Sequence, residues 1–117
     1  MNKTILVADD DAAIIHSVRM LLEDEGYTVV TTVGDKTAQV VERHLPDLIL
    51  LDIWMSGMDG RDICKQLKAH ESTKHIPIIM ISARQDTEEI AKESGADDFV
   101  EKPFDIFKLL KKIEQYL

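Results

Sequence analysis

The chain has 117 residues, 44% hydrophobic and 31% charged, which is enough for one domain with a sizeable core. Its 22 acidic residues against 14 basic ones give a formal net charge of −8 with no basic patch, which argues against a nucleic-acid surface. Cys64 is the single cysteine, so an intrachain disulfide or a cysteine zinc site is excluded and a reducing compartment is expected.

The start, Met1 to Ile5, leads directly into a strand, with no apolar stretch of secretory or membrane-spanning length. A cytoplasmic protein that does not engage membranes is therefore expected. Ile5–Ala8 reads as the first strand and runs into Asp9-Asp10-Asp11, where Asp11 is placed to cap the first helix. That helix carries Ile14, Val18, Leu21 and Leu22 at helical spacing and ends at Gly26. Thr28–Thr32 is the second strand. Ala38, Val41 and Leu45 mark the second helix, which Pro46 separates from strand Leu48–Leu51. Asp52 closes that third strand. Asp59 caps a third helix holding Ile63, Leu67 and a packed Cys64. Ile78–Ile81 is the fourth strand and ends at Ser82. A more polar helix over Thr87–Ser94, capped by Asp86 or Thr87, stops at Gly95. Asp98–Val100 is the fifth strand, followed by Lys102. The last helix puts Phe107, Leu110, Ile113 and Leu117 on one stripe, with Phe104 and Phe107 as core and Lys108, Lys111 and Lys112 as a solvated face.

The first, third and fourth strands are almost uninterrupted hydrophobic runs, the mark of central strands covered on both faces. Five βα units with no repeat or linker predict a single domain over residues 1–117, of α/β class, with right-handed crossovers and an open parallel sheet. The site of such a sheet lies outside the carboxyl ends of its strands, where Asp9–Asp11, Asp52, Ser82 and Lys102 all fall. Carboxylates gathered there repel one another unless a cation sits among them, and an all-oxygen set suits a hard divalent ion such as Mg2+. One carboxylate could then act as a nucleophile toward a phosphoryl group. His16, His44, His70 and His75 share no ligand spacing and are expected to face solvent or bond locally.

Four segments appear in order: ILVADDD at 5–11, PDLILLDIWMSGMDG at 46–60, PIIMISA at 77–83 and GADDFVEKPF at 95–104. Together they resemble the receiver domain of two-component response regulators over essentially the whole chain. The resemblance implies a flavodoxin-like (βα)5 fold, doubly wound, with strand order 2-1-3-4-5. It makes Asp52 the phosphoacceptor, and Asp9, Asp10, Asp52 and the Trp54 backbone carbonyl the ligands of Mg2+ or Mn2+. Ser82 and Lys102 would bind the phosphoryl group, Ser82 and Phe99 would form the switch, and Lys102-Pro103 would be a cis peptide. Phenylalanine lacks a tyrosine's hydroxyl, so a switch at Phe99 would rely on packing alone.

The implied partners are a sensor histidine kinase or phosphotransfer protein and an output partner reached through helix 4, strand 5 and helix 5. Self-phosphorylation and self-dephosphorylation at Asp52 would be its only chemistry. Trp54, bulky beside the pocket, and Arg84 are candidate modulators of phosphoryl loss. Ser56 stands where the family commonly has proline, a change expected to loosen that loop. Two other classes compete. A phosphate-independent docking domain would tend to have lost part of the acidic set, which is intact here. A Mg2+-dependent phosphohydrolase of the haloacid dehalogenase type needs a second aspartate where this chain has Trp54.

Overall fold

The computed structural model describes residues 2–83 and 85–117. Five parallel strands, Thr4–Ala8 (β1), Thr28–Thr32 (β2), Leu48–Asp52 (β3), Ile78–Ser82 (β4) and Asp98–Glu101 (β5), form one sheet in the order β2-β1-β3-β4-β5. Helices Ala12–Asp24 (α1), Thr37–His44 (α2), Gly60–Ala69 (α3), Thr87–Ser94 (α4) and Ile106–Tyr116 (α5) connect and flank them. The topology is the doubly wound one expected.

Alternation along each strand divides the core in two. Leu6, Ala8, Ile49, Leu51, Ile78 and Met80 point to one face and pack with Val41, Ile63, Leu67 and Ile90 from α2, α3 and α4. Ile5, Val7, Leu48, Leu50, Ile79 and Ile81 point to the other, under Val18 and Leu22 of α1 and Leu109 and Ile113 of α5. All five residues of β3 and of β4 are buried, which accounts for their unbroken hydrophobic runs. Each fully buried Leu or Ile contributes about 1.5–3 kcal/mol, so this double core, rather than any one contact, holds the strand ends in place.

Local chemistry sets the helix limits. Asp11 caps α1 by accepting from the N–H groups of Ala13 and Ile14 at 3.0 and 3.3 Å. At its end Gly26 takes φ +96, the Gly26 N–H bonds to the Glu23 carbonyl and the Tyr27 N–H to that of Leu22, a Schellman closure.

Three expectations are corrected. Leu45 is no inward-facing member of α2: it caps the helix in a left-handed conformation at φ 45 and is exposed, because Pro46 disfavours a helical residue before it. Phe107 is 67% exposed. At about 100° per residue it lies about 120° around α5 from Ile113, and the inward stripe is Leu109, Leu110, Ile113, Tyr116 and Leu117. Lys112 is not simply solvated: its Nζ bonds Asp98 Oδ1 at 2.8 Å and the Phe99 carbonyl at 3.0 Å.

Two features went unforeseen, a short 3-10 turn at Gly34–Lys36 and a hairpin between β3 and α3 pairing Trp54–Met55 with Met58–Asp59. No helix among the described residues is long and apolar enough to cross a membrane.

Candidate functional site

Strand order reverses direction at β1 and β3, so the loops after them leave toward opposite faces and open a crevice. Asp9 and Asp10 follow β1, and Asp52 ends β3. One oxygen from each of the three lies within 4.8 Å of the others. Asp9 is wholly buried and Asp52 is 4% exposed, while Asp10 faces solvent. Lys102, just beyond β5, reaches in between the two buried carboxylates: its Nζ is 3.0 Å from Asp9 Oδ2 and 3.6 Å from Asp52 Oδ2.

Backbone groups finish the arrangement. Asp9 Oδ1 accepts from the Asp11 N–H at 2.9 Å, and Asp52 Oδ1 from the Trp54 N–H at 3.3 Å. The Ile53 N–H extends the β3–β4 ladder to the Ile81 carbonyl at 3.0 Å, and Asp52 pairs in register with Ile81, the residue before the buried Ser82. The Lys102 N–H donates to the Ser82 carbonyl at 2.7 Å, and the Lys102-Pro103 bond is cis. Asp9, Asp10, Asp52 and Lys102 thus converge on one pocket, with Ser82 at the end of the neighbouring strand β4. Trp54 stands at its rim, and Phe99 lies one strand away on β5, half-buried against the α3–α4 side of the core. Arg84 lies outside the described residues.

Electrostatically the pocket carries more negative charge than one lysine balances. Burial first, and the neighbouring Asp9 carboxylate second, push the Asp52 pKa up to about 6, against the pull of Lys102. Burial works against the Lys102 ammonium, yet its close approach to the Asp9 and Asp52 carboxylates together outweighs this and raises its pKa. Asp9 Oδ2 is buried and, although within ion-pair range of Lys102, receives no hydrogen bond of good geometry. A buried, under-satisfied carboxylate oxygen facing two more carboxylates suits a hard divalent cation, so the residues present fit Mg2+.

The β3–α3 hairpin forms one wall of this pocket, and sequence reasoning missed its contacts. Ser56 ties the loop down rather than loosening it, donating from its N–H and its hydroxyl to Asp10 Oδ2 at 3.0 and 3.3 Å. Arg61 stacks its guanidinium 4.7 Å from the Trp54 ring centroid and grips Asp59 through Nε and Nη2 at 3.1 and 2.7 Å. These hydrogen bonds hold the Asp59 carboxyl below its usual pKa. Gly60 lets α3 start against the end of β3: a Cβ there would meet the Asp52 carbonyl oxygen at 2.6 Å and Ile53 Cα at 2.8 Å. Gly60 closes one of the motif segments; nothing local marks Arg61. All four histidines are exposed.

Comparison with known proteins bears on the fold and the family. A family described as the response regulator receiver domain matches residues 5–114. The chain is 38% identical over 120 residues to the DNA-binding response regulator MtrA of Mycolicibacterium paratuberculosis, a match covering 100% of this chain and 52% of that protein. It is 40% identical over 116 residues to the response regulator PleD of Caulobacter vibrioides, covering 97% of this chain and 26% of PleD. The chain therefore spans about half the length of MtrA, and less of PleD. Among solved structures, the chemotaxis protein CheY4 of Vibrio cholerae superposes with a TM-score of 0.91 at 28% identity, covering 100% of both chains.

Proposed function

The chain belongs to the response regulator receiver domain family, and from that premise we propose that it accepts a phosphoryl group on Asp52 from a sensor histidine kinase or phosphotransfer protein. The observation that carries this reading is the meeting of Asp9, Asp10 and Asp52 within 4.8 Å, with Lys102 Nζ between the two buried ones. Asp9, Asp10, Asp52 and the Trp54 backbone carbonyl are the residues that would hold Mg2+ or Mn2+, which when bound offsets carboxylate charge and orients phosphoryl oxygens.

Asp52 contributes the nucleophile. A carboxylate oxygen attacks phosphorus in line, the new O–P bond forms as the P–N bond to the donor imidazole breaks, and the imidazole keeps the electron pair. Lys102 supplies a point charge to a phosphoryl oxygen and Ser82 a hydroxyl hydrogen bond. Among the described residues no other group in the pocket is placed as a base for an external substrate, in keeping with a signalling module whose only chemistry is gain and loss of its own phosphoryl. Trp54, held over the rim by Arg61, slows hydrolysis by limiting water's approach to the acyl phosphate.

The added charge of about −1.5 to −2 draws Ser82 toward it and shifts the packing of Phe99, changing the face of α4, β5 and α5 that an output partner reads. Incubation with acetyl phosphate and Mg2+ followed by intact-mass measurement should show one added phosphoryl, absent from Asp52→Asn. No uptake by the wild-type chain would refute the reading.

A further inference from the structure

Asp10 is the exposed member of the acidic trio, so the core does not hold its side chain. What holds it comes from a residue 46 positions away: Asp10 Oδ2 accepts from the Ser56 N–H at 3.0 Å and from Ser56 Oγ at 3.3 Å. Proline, common at this place in the family, offers neither donor. The serine therefore adds a bridge between the β1–α1 and β3–α3 loops across the mouth of the pocket.

The hairpin that carries Ser56 is itself firmly placed. The Trp54 N–H is on Asp52, Met55 pairs with Met58, Gly57 takes φ +72 at the turn, and the Gly60 N–H bonds to the Ile53 carbonyl at 2.7 Å. A donor pair on so fixed a loop selects one orientation of the carboxylate that it binds. Ionised carboxylate oxygens have about four lone-pair sites between them, so two hydrogen bonds leave room for a cation.

We infer that Ser56 is a positioning residue for the divalent-cation site, holding the Asp10 carboxylate toward Asp9 and Asp52 before the ion arrives. This rests on the cation reading above and adds to it a residue that touches neither the ion nor the phosphoryl. Without the bridge, an exposed aspartate samples about three staggered χ1 wells, and restoring the productive one weakens binding by about threefold. Ser56→Ala keeps the backbone donor and loses only the hydroxyl, so its loss should be smaller. Ser56→Thr keeps both donors.

The test is calorimetric titration of Mg2+ alone into the wild-type chain and the Ser56→Thr, Ser56→Ala and Ser56→Pro variants, each first stripped with chelator. The expected order of affinity is wild type equal to Ser56→Thr, then Ser56→Ala, then Ser56→Pro, the last weaker by about threefold. Affinity of Ser56→Pro equal to or tighter than wild type overturns the inference while leaving the cation reading intact. So does a loss in Ser56→Thr as large as that in Ser56→Pro, because the donors would then not be what matters. Absence of Mg2+ binding by the wild-type chain overturns both.

Discussion

Replacing Asp52 with asparagine should make the metal-free chain more stable, although it removes the group on which the proposed chemistry depends. Asp52 is almost fully buried, and burial together with Asp9 raises its pKa from 3.8 to about 6. The folded chain thus holds a proton that the unfolded chain has released between those two values, so stability falls as pH rises through that window. At about 1.4 kcal/mol per unit the ceiling is about 3 kcal/mol at neutral pH, and local relaxation brings the expected gain for Asp52→Asn to about 1–3 kcal/mol. For a chain of this length that is a rise in Tm of about 4–12 °C. The assay is thermal unfolding of both proteins in chelator, near pH 7.5 and near pH 4. The difference should be large at the higher pH and shrink to well under about 1 kcal/mol at the lower one, where the folded aspartate is already neutral. Added Mg2+ should stabilise the wild type, by about 2.7 kcal/mol at a hundredfold excess over Kd, and hardly move the variant. A variant no more stable than wild type near pH 7.5, or one whose gain is the same near pH 4, would refute the argument.

Three further outcomes are expected. Gly60→Ala should cost about 1–3 kcal/mol in chemical denaturation despite alanine's better helix propensity of about 1 kcal/mol, because its Cβ collides with the backbone of Asp52 and Ile53; a stabilised variant would remove the close approach from the account. Trp54→Asn should speed loss of the acyl phosphate by about three- to tenfold, or about 0.6–1.4 kcal/mol of barrier, with Arg61→Ala giving part of that; unchanged decay in the first variant defeats the shielding idea. Lys112→Met should cost about 1 kcal/mol near neutral pH. Burial works against the Asp98 carboxylate, but the Lys112 hydrogen bond and charge, with the Phe99 N–H and the Tyr116 hydroxyl, together outweigh it and lower its pKa, so this loss should fade as acid protonates Asp98; a pH-independent loss would point to packing instead.

The continuous hydrophobic runs of β1, β3 and β4 were legible because strands buried on both faces leave no other pattern, and carboxylates at two of their ends placed the pocket. The phase of α5 was not. Phe107 and Leu110 have the right spacing for a stripe, but the spacing does not say which side of the stripe meets the sheet. Leu45 failed for a local reason, the proline after it. The hairpin at Trp54–Asp59 is too short for any periodic signal, since each of its strands has two residues. Contacts such as Ser56 with Asp10, or Lys112 with Asp98, join distant parts of the chain and become visible only when the sheet brings them together.

The lone tryptophan of the protein donates its backbone N–H to the very carboxylate proposed to be modified, and the residue is 37% exposed, with a guanidinium over its ring. With excitation at wavelengths beyond the absorption of Tyr27 and Tyr116, ultraviolet emission from this chain therefore originates at one place, the lip of the acidic pocket. Ion loading, chemical modification and release could all be followed in real time, without dye or label, from that one tryptophan.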